Sequence, residues 1–114
     1  MPEKIKRPEL LEGRTHKIVL ECGNFYITIN KKDDKIIETF MQLGKAGGCA
    51  YSQLEALSRI ISLALRCDVD CEKIIKQLEG IRCPLRSISK GCEYFSCADA
   101  IAKVLKIESQ VDKD

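Results

Sequence analysis

The stretch KIVLECGNFYITIN, residues 17–30, decides the fold. Ile18, Leu20 and Cys22 alternate with Lys17, Val19 and Glu21, and Phe25, Ile27 and Ile29 alternate with Tyr26, Thr28 and Asn30. A two-residue apolar period marks a half-buried strand, so the segment predicts two strands in a row. Gly23-Asn24 between them supplies the positive φ of a tight turn, which makes the pair a hairpin with Cys22 at its shoulder. Downstream, Asp33-Asp34 predicts a second turn, and Lys35 to Leu43, rich in Ile and Phe, predicts a third strand.

The period then changes. Gly44, Gly47 and Gly48 break the third strand, and Leu54, Leu57, Ile60, Ile61, Ala64 and Leu65 recur at helical spacing. Ser52 and Glu55 match the S-x-x-E capping pattern at its start. Leu63 and Ile61 widen the apolar stripe, which predicts an association surface for a homodimer or for a larger enzyme. A shorter helix is expected from about Cys71, capped by Asp70, through Ile74, Ile75 and Leu78 to Gly80, with Pro84 beyond it. Residues 85–94 read as an irregular loop. The last helix starts at the N-cap Ser96, has Asp99 three residues on, and buries Ile101, Ala102, Val104 and Leu105. The expected fold is α+β, a three-stranded antiparallel meander followed by three helices packed on one sheet face. Residues 1–14 read as a tail, 15–108 as the domain and 109–114 as a polar C-terminal tail.

Composition narrows the function. The chain has 114 residues, enough for one modest core and too few for a barrel enzyme, which needs roughly 200 or more. Nineteen basic against 17 acidic residues, interspersed, leave no footprint for nucleic acid. No apolar run reaches ~18 residues and no signal-peptide pattern opens the chain, so a cytoplasmic protein without membrane contact is expected.

Seven cysteines in a reducing compartment suggest metal binding, redox chemistry or burial. Cys22, Cys49, Cys83 and Cys97 stand out because they fall at a hairpin shoulder or near helix ends. At the first position of the last helix, the dipole and unpaired N–H groups favour the Cys97 thiolate, while Cys49 is placed about one turn before the central helix. Four such thiolates could hold zinc or an iron–sulfur cluster, or serve merely as small buried side chains. Cys67, Cys71 and Cys92 read as packing residues. The loop containing Lys45, Gly47 and Gly48, together with Ser96, is a weaker candidate for anion or nucleotide phosphate binding, because the P-loop spacing is missing. The lone His16 has no acid at diagnostic spacing and reads as surface or half-buried, and no catalytic residue is assigned.

The runs GKAGGC (44–49), EALSRIISLALR (55–66), QLEGIRCP (77–84) and SCADAIAKVL (96–105) together resemble the TSCPD domain. That domain occurs at the C-terminal end of adenosylcobalamin-dependent ribonucleotide reductases and in small stand-alone four-cysteine proteins. The tetrad departs at Phe95, where the family has Thr, and at Ala98, where it has Pro. The resemblance implies that Cys22, Cys49, Cys83 and Cys97 form the family's cysteine set. It implies an accessory or interaction domain with zinc or an iron–sulfur cluster, or a thiol redox relay to ribonucleotide reductase or another larger enzyme. The reductase barrel and its cobalamin site have no room here, so no nucleotide reduction is expected from this chain by itself.

Overall fold

A computed structural model describes residues 4–21, 23–44, 48–84, 87–89 and 91–111. Three strands, β1 (Glu12–Leu20), β2 (Gly23–Lys32) and β3 (Lys35–Leu43), form an antiparallel sheet in the order β1-β2-β3. The apolar alternation does what the sequence predicts: Ile18, Leu20, Phe25, Ile27 and Ile29 are all buried on one face. Leu20 pairs with Gly23, so Gly23 opens β2 instead of forming the turn with Asn24. Its φ is +134°, and a Cβ there would lie 2.3 Å from the Gly44 carbonyl oxygen. Glycine is therefore needed for close approach as well as for the backbone angle. Asp33 and Asp34 make the expected second turn, with φ of 51° and 64°, a left-handed conformation that Asp tolerates better than most side chains. A register shift after Asn30 gives β3 an extra residue, and Ile36 and Ile37 are both buried there.

The helices are α1 (Gly48–Arg66), α2 (Cys71–Leu78) and α3 (Cys97–Val111). Leu54, Ile61 and Leu65 of α1, Ile74, Ile75 and Leu78 of α2, and Ile101, Val104 and Leu105 of α3 join the sheet residues in one core. The α+β fold expected from the sequence is thus the one observed.

Contacts along α1 explain how β3, an edge strand, is protected. Ser62 Oγ accepts from the Thr39 N–H at 3.0 Å, and Ser58 Oγ donates to the Thr39 carbonyl at 2.5 Å. Both serines are buried. They occupy backbone groups that an edge strand would otherwise leave open to another chain. α1 begins one turn earlier than the S-x-x-E pattern predicts. Ser52 lies in its second turn and donates to the Gly48 carbonyl at 2.7 Å, the i−4 bond that competes with capping. Ile61 is buried and Leu63 exposed, so only Leu63 contributes to an outer surface.

α2 starts as predicted, with Asp70 accepting from the Glu72 N–H at 3.1 Å, and Gly80 follows it at φ +80°. Part of the segment read as an irregular loop forms a hairpin, β4 (Ser87–Ser89) with β5 (Cys92–Tyr94). Strands of three residues are too short to show a period. The hairpin is tied to the main sheet where Ser87 Oγ accepts from the Glu21 N–H at 2.8 Å. In the N-terminal segment, the Lys4 and Ile5 N–H groups donate to the Arg66 carbonyl, and Arg7 Nε bonds the buried Glu38 carboxylate at 2.7 Å.

Candidate thiol site

Asp99 builds the site. It is the third residue of α3 and is buried, and its carboxylate accepts from the Gly80 N–H at 2.9 Å, the Phe95 N–H at 3.1 Å and the Lys103 ammonium at 2.5 Å. Burial raises the affinity of this carboxyl for a proton, but the Gly80, Lys103 and Phe95 bonds outweigh it and hold the group below its ordinary pKa. The anion at the α3 N-terminus is therefore the chain's own. Ser96 caps the helix as expected, accepting from the Asp99 N–H at 3.0 Å while donating to the Ile81 carbonyl at 2.6 Å. The Cys83 N–H donates to the Phe95 carbonyl at 2.8 Å. The Arg82 guanidinium lies 4.5 Å above the Phe95 ring, so the aromatic side chain at that position gives the 80–83 loop a surface to rest on.

These bonds clamp the segment carrying Cys83 onto the segment that leads into Cys97. Both thiol residues are partly buried, and both line one apolar groove of about 730 Å³ with Leu43, Leu54, Leu57 and Ile60. Ala50 also borders the groove, which brings the first turn of α1 to it. Cys49 lies in that turn, inside the helix instead of a turn before it, and is exposed. Leu43 closes the groove at the end of β3, beside the point where Gly23 packs on the Gly44 carbonyl. Cys22, Lys45 and Gly47 lie outside the described residues. Gly48 opens α1, with open space where a Cβ would stand.

The structure thus brings Cys83 and Cys97 to one groove and sets Cys49 in the adjoining helix turn. Among the described residues, no three His, Cys, Asp or Glu side chains are grouped so as to hold a metal ion. Cys71 packs against the core, and its thiol pKa is pushed up to about 11, first by burial and then by Asp70 and Glu72. A thiol of that kind stays protonated at neutral pH, in keeping with a packing role.

A second polar centre escaped the sequence. Glu108 of α3 is fully buried, and its carboxylate lies 2.5 Å from His16 Nε2, 3.3 Å from Lys31 Nζ and 3.6 Å from Arg14 Nε. Burial works against its ionisation, but the His16 and Lys31 bonds and the Arg14 charge hold its pKa below the ordinary value. His16 does have an acid partner, 92 residues away in sequence.

A meander covered by three helices, with two cysteines on a groove between a clamped loop and two helix N-termini, defines a small cysteine-bearing α+β domain. The TSCPD domain model matches residues 2–109, and the chain belongs to that family. No curated protein and no solved structure matches it. No described helix is long and apolar enough to cross a membrane.

Proposed function

We propose that this chain is an accessory domain that binds a metal ion through Cys22, Cys49, Cys83 and Cys97. The observation that carries this reading is the groove shared by Cys83 and Cys97, with the Cys49 helix turn at its border. Thiolates are soft ligands suited to zinc or an iron–sulfur cluster, and two of these cysteines lie in the first turns of α1 and α3, where N–H groups favour negative charge. A bound zinc ion would supply a closed cross-link between sheet end, loop and helices, and no bond-making step. The role of the chain's own residues is to hold the ligands: Asp99 and Ser96 fix the loop that carries Cys83 against the start of α3. The client that the family resemblance suggests is a ribonucleotide reductase or another larger enzyme.

The absence of a three-donor group among the described residues favours a second reading, a dithiol at Cys83 and Cys97. There, one thiolate attacks a partner's disulfide, and the second cysteine resolves the mixed disulfide. Two electrons pass to the partner and the pair leaves as an intramolecular disulfide.

Elemental analysis with a thiol count on protein purified without oxygen separates the two. A stoichiometric metal with four protected thiols supports the first reading. A metal-free chain that loses two thiols on mild oxidation, mapped to Cys83 and Cys97, supports the second. A metal-free chain with no such pair overturns both.

A further inference from the structure

α1 turns two serines toward the sheet and part of its apolar surface outward. Ser58 and Ser62 are buried against Thr39, whereas Tyr51 and Leu63 are 49% and 46% exposed. Between them, at intervals of four residues, stand Glu55 and Arg59, with side chains 54% and 79% exposed. Residues four apart form a continuous ridge on a helix, so Tyr51, Glu55, Arg59 and Leu63 are one ridge. Read in opposite directions, that ridge is complementary to itself. Ile60, 65% exposed, extends the apolar surface along one flank.

We propose that this ridge is a two-fold interface, on which α1 pairs antiparallel with α1 of a second copy of the chain. The axis passes midway between Glu55 and Arg59. Tyr51 of each copy then packs on Leu63 of the other, and Glu55 of each meets Arg59 of the other, so that every contact occurs twice. Parallel pairing would set Glu55 against Glu55 and Arg59 against Arg59, which disfavours it. Within one chain, Arg59 Nη2 and Glu55 Oε1 are 3.7 Å apart at the surface, an exposed pair that contributes little to the monomer. Both groups are accordingly available to a partner. An unrelated enzyme has no reason to carry the reversed order of the same four side chains, and a second copy carries it by necessity.

Sedimentation equilibrium of the full chain under reductant, so that the exposed Cys49 forms no intermolecular disulfide, tests the interface. A dimer at micromolar concentration that weakens with added salt is expected. Arg59→Glu and Glu55→Arg, both at exposed positions, should each raise the dimer dissociation constant about tenfold or more, since like charges then surround the axis. The double variant Glu55→Arg/Arg59→Glu recreates opposite charges and should recover most of that loss. Leu63→Asp should abolish the dimer, with helix content unchanged by circular dichroism. A monomer throughout the micromolar range, a dimer indifferent to Arg59→Glu, or a double variant no tighter than either single one would overturn the proposal.

Discussion

The two ends of α3 each bury a carboxylate, and the two are held in different ways. Asp99, at the start, is met by backbone N–H groups of Gly80 and Phe95 and by Lys103 one turn along the same helix. Glu108, near the other end, is met by side chains of β1 and β2. The first carboxylate therefore shapes a loop, and the second docks a helix on a sheet. The difference teaches that one helix can organise the thiol groove at its N-terminus without depending on the contact that secures its C-terminal half.

Breaking the sheet end should cost most. Glu108→Ala leaves His16 and Lys31 half-buried without their carboxylate, and a loss of about 3 kcal/mol is expected, at the low end for a buried pair because Arg14 reaches solvent. Urea unfolding should show the loss as a lower midpoint for the whole domain. Breaking the other end should cost less and act locally. Asp99→Ala strands two N–H donors, and about 2 kcal/mol is expected. Hydrogen exchange at residues 80–83 and alkylation of Cys83 and Cys97 should rise more than exchange in the sheet. A uniform rise across the domain would remove the distinction between the ends.

Acid probes both ends together. Each carboxyl has a folded pKa below its unfolded one, so its contribution is fully present above the unfolded value and is lost as pH falls through the folded one. Stability should therefore decline below about pH 4, and Asp99→Asn and Glu108→Gln should each flatten that decline in denaturant midpoints measured across the acid range. The smallest effect is expected from Arg82→Ala, about 0.5–1 kcal/mol for the lost stacking on Phe95. Its sign should show as faster Cys83 alkylation, with Cys71 still slow because its thiol pKa is about 11.

What the sequence by itself determined is what local chemistry encodes. The alternation in 17–30 fixes which faces of β1 and β2 are buried, the Asp33-Asp34 pair turns the chain, and Asp70, Gly80 and Ser96 mark helix ends, because each signal acts within a few residues. Only the tertiary structure decided the rest. Ser58 and Ser62 look like polar interruptions of an apolar helix until Thr39 of the edge strand supplies their partners. Ser52 looks like a cap until α1 is seen to start at Gly48. His16 has no acid until Glu108 arrives from α3, and Asp99 is only a helix-start residue until Gly80 turns the loop onto it. The groove that joins Cys83 to Cys97 belongs to this second class. It depends on where a loop and two helix starts are packed, and packing partners distant in sequence leave no period, spacing or propensity by which one chain segment announces another.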